Sequence, residues 1–403
     1  MGQPLEQHQE QHACGVSSTD VEDWGRVETT NKCYGATTCR VLAPEIFREV
    51  KAKSKPAFNG NFTEVGKAIE SREEFDAVRR AIVSCPGKAI RWVEQPKVSQ
   101  VGLPSVFDVY PELIEDDVYY MGFSDKTTFG CAGFFIHRGE GRNILIDPPI
   151  AHPKLVDAVN RMGGVQHLLF THVDHTGNQE AWHTATKARR LMHTADVVHV
   201  KNEYSPFLVT KDFETLLELQ PLETTTLEGT SDFRIVSTPG HTVGSLCFVY
   251  KDRFLFTGDS LANSRAIGHL ICFRIQCWQD WATQIISMNE LQAYTFQWVL
   301  AGHGEWRRFD TADEARSDLQ RCLSWMQQQG SGRTWLPRYI LWTMMRPKHG
   351  GLKQLLVDSF LLPPGAKMHF PNWTLPSWSL FAMALLPAAT LGAVRLRAKL
   401  HSA

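Results

Sequence analysis

Thr238-Pro239-Gly240-His241-Thr242 lies between two apolar runs, Phe233-Arg234-Ile235-Val236 and Ser245-Leu246-Cys247-Phe248-Val249-Tyr250. A strand-like run that stops at a turn bearing a lone imidazole presents a metal-seeking side chain at its end. The pattern recurs on either side. Downstream, Phe254-Leu255-Phe256 leads into Thr257-Gly258-Asp259, and Ala301-Gly302-His303-Gly304 follows later. Upstream, His167-Leu168-Leu169-Phe170 leads into Thr171-His172-Val173-Asp174-His175. Side chains at different strand ends converge when the strands share an edge. Imidazole and carboxylate together suit zinc or non-haem iron, and two ions bridged by one carboxylate would leave a position for water. Gly240, Gly258 and the glycines flanking His303 let the backbone approach an ion closely.

The chain has 403 residues, enough for two or more domains. Its 42 basic and 43 acidic residues balance, which excludes a global field recruiting nucleic acid or an anionic membrane. Nine cysteines, an odd and scattered set, argue against a disulfide framework and for a reducing compartment. Residues 1–22 are polar, lack a signal or transit pattern, and read as a disordered tail. Glu6 stands where a myristoylation motif wants Ser or Thr.

Residues 23–96 form a compact unit with Cys33, Cys39 and Cys85. Three prolines between Gln95 and Asp116 mark 97–116 as a linker. From 117 to 330, strands alternate with helices. Phe134-Phe135-Ile136 and Asn143-Ile144-Leu145-Ile146 predict a hairpin, and helical spacing marks Pro153 to Met162 and Trp281 to Tyr294. A third helix is expected over Thr311 to Gln328, with Asp310 as its N-cap. A C-terminal extension, 331–403, contains 375–394, which is uncharged and followed by Arg395, Arg397 and Lys399. That length spans a bilayer, though Pro376, Pro387 and Gly392 interrupt it, so a membrane anchor and a buried or interfacial helix pair both fit.

The ordered series of loops resembles the metallo-β-lactamase superfamily over roughly Val118 to Gln329. The resemblance implies an αββα sandwich (an α+β fold) with His241 and His303 as terminal ligands of two ions and Asp259 as their bridge. The first motif departs from the family's T-H-x-H-x-D-H. Aligned without gaps, Phe170 replaces the first histidine, leaving His172 on one ion and Asp174 with His175 on the other. A second register follows a plant and cyanobacterial branch with a longer loop ending at the spacing of Trp182. There His172 is the first histidine, and Asn178 and Gln179 replace the Asp-His pair. Either register loses one ligand, so one zinc or iron ion, or two, is expected on His172, Asp174, His175, His241, Asp259 and His303. His183, His193 and His199 read as surface or core histidines.

Five residues separate Cys33 from Cys39, Ala36 stands among them, and Cys85 precedes Pro86. Three thiolates match a [3Fe-4S] cluster, or a [4Fe-4S] cluster with a non-protein fourth ligand. The text around them, Cys39-Arg40-Val41-Leu42-Ala43-Pro44 and Ser84-Cys85-Pro86-Gly87-Lys88-Ala89, resembles the single-cluster ferredoxins. It is closer still to the ferredoxin-like domain fused ahead of the sandwich in the plant and cyanobacterial branch. That likeness implies a chloroplast or cytoplasmic setting; a domain that has lost its cluster and serves for docking is the alternative. A zinc site is disfavoured, since no Cys-x2-Cys pair is present. Cys272 and Cys277 read as core thiols.

The leading expectation is a metal-dependent hydrolase of a small molecule, with Asp174 orienting the attacking water or moving its proton. An iron-dependent oxidoreductase served by a redox partner is the second, and a catalytically silent adaptor the third. Membrane contact would come through 375–394. Arg333, Arg338 and Arg346 could receive an anion, but snorkelling is commoner for arginines on such Trp- and Met-rich text. The fold leaves the substrate open.

Overall fold

The computed structural model describes residues 23–33, 35–51, 61–97, 105, 108–139, 141–197, 213–274 and 276–329. The front module contains β1 (Arg26–Thr29), α1 (Thr38–Leu42), β2 (Phe47–Lys51), β3 (Asn61–Val65), α2 (Arg72–Ser84) and β4 (Ile90–Glu94). β1 pairs antiparallel with β4, and β2 with β3. Helix α2 starts at the Ser71 cap, whose side chain accepts from Glu74 N, and buries Phe75, Val78 and Ala81. These pack with Trp24, Ile46 and Phe47 into a core of their own.

The sandwich follows. Its first sheet runs from β5 (Glu112–Glu115) through β6 (Val118–Tyr120), β7 (Phe134–Ile136), β8 (Ile144–Ile146), β9 (His167–Leu169) and β10 (Arg189–His193) to β11 (Thr215–Leu217). β5 to β8 are antiparallel, and β8 to β11 are parallel. The sheet therefore begins at Glu112, inside the stretch its prolines mark as linker, and Tyr110 is already buried in the core. Helices α3 (Pro153–Arg161) and α4 (Gln179–Thr186) make the parallel crossovers.

The second sheet is ordered β12 (Thr224–Thr226), β13 (Phe233–Ser237), β14 (Leu246–Tyr250), β15 (Phe254–Gly258), β18 (Trp298–Ala301) and β19 (Arg307–Arg308). A small hairpin, β16 (Ala262–Ser264) with β17 (His269–Ile271), interrupts it. Helices α5 (Trp281–Glu290) and α6 (Ala312–Gln328) cover its outer face. The period of two in β14 distributes the core. Leu246, Phe248 and Tyr250 join Phe134 and Phe170 between the sheets, while Cys247 and Val249 face Trp281, Met288 and Leu319. This is the αββα architecture that the loop series implies.

Cys272 and Cys277 lie buried in the helix-side core, as expected of core thiols. The cap of α6 is Thr311, whose hydroxyl accepts from Glu314 N; Asp310 sits one residue outside and donates its own N–H to the Glu314 carboxylate. Among the described residues, no helix is long and apolar enough to cross a membrane. The apolar stretch 375–394, the arginines at 333, 338 and 346, His199 and the tail 1–22 lie outside the described residues.

Candidate metal centre

β9, β13, β15 and β18 end at one edge of the sandwich. β15 and β18 run parallel with Gly258 opposite Ala301, so Asp259 and His303 emerge side by side. β13 points the same way, because two antiparallel steps separate it from β15. β9 brings His172 and His175 from the other sheet, and Leu246 N donates to Thr171 O across the gap.

His172 Nε2 lies 3.1 Å from His241 Nε2, and Asp259 Oδ2 lies 3.7 Å from each. Tetrahedral zinc with Zn–N near 2.05 Å sets ligand atoms about 3.3 Å apart, so this spacing suits one ion. Asp174 Oδ2 joins this side, 3.9 Å from His172 Nε2, and His172, Asp174 and His241 can together reach one ion. Asp259 turns its other oxygen away: Oδ1 lies 3.4 Å from His175 Nε2 and 2.7 Å from His303 Nδ1. His175 Nε2 is buried and has no hydrogen-bond partner, an unmet need that an ion would meet. The six candidate residues therefore meet in one place, where His172, Asp174 and His241, or His172, His175 and Asp259, lie close enough to share an ion and His303 contacts Asp259.

Neither register of the first motif foresees the grouping of Asp174 with His172 and His241. Phe170, where a histidine stands in the family, is buried between the sheets and packs edge-on against Phe213. Asn178 and Gln179 turn away from the centre: Asn178 Nδ2 donates to Asp125, and Gln179 Oε1 accepts from Arg190. His183 bonds Ala188 O, and His193 accepts from Ala195 N through one ring nitrogen and bonds Leu219 O through the other.

Glycine is required at two positions here. A Cβ at Gly302 would stand 2.5 Å from His175 Cε1, and one at Gly258, where φ is +51°, would strike Thr171 Oγ1 at 2.4 Å.

The supporting groups were harder to read in the sequence. Asp147, directly after β8, accepts from Thr171 N (2.9 Å) and Thr171 Oγ1 (2.7 Å), and its Oδ2 lies 2.9 Å from His175 Nδ1. That contact makes Nδ1 the donor and leaves Nε2 as the ligating atom. Asp196 accepts from Val173 N, Thr242 Oγ1 and Gly244 N, tying the His172 loop to the His241 loop. Cys131 Sγ lies 3.1 Å from His175 Nδ1. Burial pushes its thiol up to about 12, and the neighbouring His175 works in the other direction. The signal for Asp147 was a lone carboxylate closing an apolar run; Asp196 and Cys131 carried no local signal.

Burial first, then the neighbouring His175 and His241, hold His172 well below the usual imidazole range, the neutral state a ligand needs. For His175 burial acts downward, but Cys131, Asp147 and Asp259 outweigh it and raise its pKa well above that range. Asp259 is held well below the carboxylate range: burial opposes this, and His303 with His175 prevails.

In the front module Cys33, Cys39 and Cys85 line one recess with Ala36, Thr37, Thr38, Thr63, Pro86, Gly87 and Ala89. Cys85 Sγ accepts the Ala89 N–H at 3.3 Å. Burial pushes the Cys39 thiol up to about 12, with Cys85 and Cys33 adding to it. Iron would supply the positive charge that three mutually repelling thiolates lack, so this cradle fits an iron–sulfur cluster. The recess adjoins the sandwich: Thr37 Oγ1 is 3.4 Å from Gly304 O, and a Cβ at Gly130 would stand 2.7 Å from Pro86 and 2.8 Å from Ala36.

Residues 28–92 match the 4Fe-4S single cluster domain of Ferredoxin I, and residues 127–272 match the metallo-beta-lactamase superfamily. A hydroxyacylglutathione hydrolase of Cereibacter sphaeroides (strain ATCC 17029 / ATH 2.4.9) is 33% identical over 133 residues, 32% of this chain and 47% of the relative. One of Rhodospirillum rubrum is 28% identical over 169 residues, 41% of this chain and 59% of the relative. The chain thus spans about half the length of the curated relatives it matches. Among solved structures, the B3 metallo-beta-lactamase BLEG-1 aligns at 18% identity and TM-score 0.40, over 50% of this chain and 96% of that one. An archaeal superfamily member from Sulfolobus tokodaii aligns at 16% and 0.38, over 60% and 94%.

Proposed function

Starting from a chain that carries a metallo-β-lactamase domain behind a single-cluster ferredoxin-like domain, we propose that it is a metal-dependent hydrolase holding two ions. His172, His241 and Asp174 would hold the first, His175 and His303 the second, and Asp259 would bridge them. The observation carrying this reading is Asp259, which turns Oδ2 to one histidine pair and Oδ1 to the other. A bound divalent ion lowers the pKa of its water towards neutrality and polarises a carbonyl. The chain's own residues do the rest. Asp174 accepts the proton of the attacking water, or orients that water by a hydrogen bond. Asp147 fixes the ring of His175, and Asp196 holds both ligand loops in register. Neutral His172 leaves its nitrogen lone pair available.

The relatives' name makes a hydroxyacylglutathione the first substrate to test. Purified chain loaded with zinc or iron is expected to bind about two ions and to hydrolyse that substrate. Asp259→Asn is expected to bind about one and to lose at least ~100-fold in kcat/KM. Failure to take up metal, together with no turnover of thioester, ester, lactam or phosphodiester, would sink the proposal.

The contacts of Thr37 with Gly304 and of Gly130 with Ala36 favour a second reading, an iron-dependent oxidoreductase supplied with electrons by the front module. A brown protein with a reducible low-temperature EPR signal supports it, and a colourless protein holding only zinc ends it.

A further inference from the structure

Thr63 stands in β3 and is 4% exposed. Its Oγ1 is buried without a hydrogen-bond partner in the protein. The residue also forms part of the wall of the cysteine recess. An unmet buried hydroxyl costs about 1–3 kcal/mol, and valine has the same shape without that cost. The nearby hydroxyl of Thr37 is committed elsewhere, donating to Ala36 O at 2.7 Å. Thr63 therefore brings a donor to the wall of the cysteine cradle that no oxygen or nitrogen of the protein takes up.

We propose that the Thr63 hydroxyl donates a hydrogen bond to sulfur in the iron–sulfur group held by Cys33, Cys39 and Cys85, and so raises its reduction potential. This rests on reading the cradle as a cluster site. The reduced cluster carries one more negative charge than the oxidised one, and a donor to its sulfur stabilises that charge. Thr63 tunes and positions the group; it is not a ligand.

The test is an EPR-monitored redox titration of the full chain, reconstituted anaerobically with iron and sulfide, as wild type, Thr63→Val and Thr63→Ser. Thr63→Val is expected to shift the reduction equilibrium roughly tenfold towards the oxidised form, about 59 mV for one electron. Thr63→Ser is expected to stay close to wild type. A Thr63→Val potential equal to wild type overturns the assignment. If Thr63→Val takes up no cluster, iron and sulfide content decides: wild-type content in Thr63→Ser supports the hydroxyl, while loss in both variants assigns the role to shape and overturns it. Wild type that takes up no iron and sulfide overturns the cluster reading itself, and this assignment with it.

Discussion

Asp147 shows how one carboxylate can direct another residue's chemistry. It receives two donors from Thr171 and touches His175 Nδ1, so the lone pair of His175 is turned towards Asp259. Asp147→Asn would set an amide donor among those donors and disturb the tautomer of His175. Affinity for one of the two ions should fall by roughly 10–100-fold, measured by competition with a chromophoric chelator, while the other ion is retained. The candidate ligands are legible because they sit in recognisable loops that follow apolar runs. Their partition between two positions is not. It depends on where the short 173–175 turn throws Asp174, and that turn is shaped by Asp196, which meets it only in the folded chain. Asp147, Asp196 and Cys131 belong to the same class: their roles exist across 20 or more residues of sequence separation.

At the scale of elements, strand order does most of the positioning. Period-two alternation made β13, β14 and β15 readable, and parallel pairing of β15 with β18 then forces Asp259 and His303 together. The polar edge elements were less legible. β11 and β12 carry little apolar alternation and are held by partners that spacing cannot show. Arg190 on β10 meets Glu214, just before β11, through Nε at 3.1 Å and Nη2 at 2.7 Å, and its backbone N–H donates as well, at 2.8 Å. Burial raises the Glu214 pKa, but these bonds outweigh it and bring it to about 2 from 4.5. A depressed carboxylate stabilises the fold above its unfolded pKa, and that contribution fades as pH falls towards the folded value. Because the Glu214 side chain is 30% exposed, screening reduces the effect. Glu214→Gln should cost about 1–2 kcal/mol at pH 7. In urea melts the gap from wild type should narrow from pH 4.5 down to 2; a gap independent of pH would refute the ionic account.

For the whole molecule, two cores meet at one seam. Leu42 and Val83 of the front module pack against the intersheet core, Ser84 Oγ donates to Tyr110 OH at 2.8 Å, and Arg80 pairs with Glu112. Ligands that bind only the folded state raise its stability by mass action. Stripping metal with a chelator should therefore lower the melting temperature by several degrees, and restoring zinc should recover it. Gly130→Val adds branched carbon where φ is +90° and Pro86 with Ala36 fill the space. It should destabilise the chain by about 2 kcal/mol or more in urea melts while leaving the affinity for added metal near wild type.

That glycine also sets what kind of machine this can be. A cover that swings needs slack at its hinge, and the seam around Gly130 leaves less than a methyl group's clearance. Whatever the front module contributes to the chemistry next door, it contributes while parked.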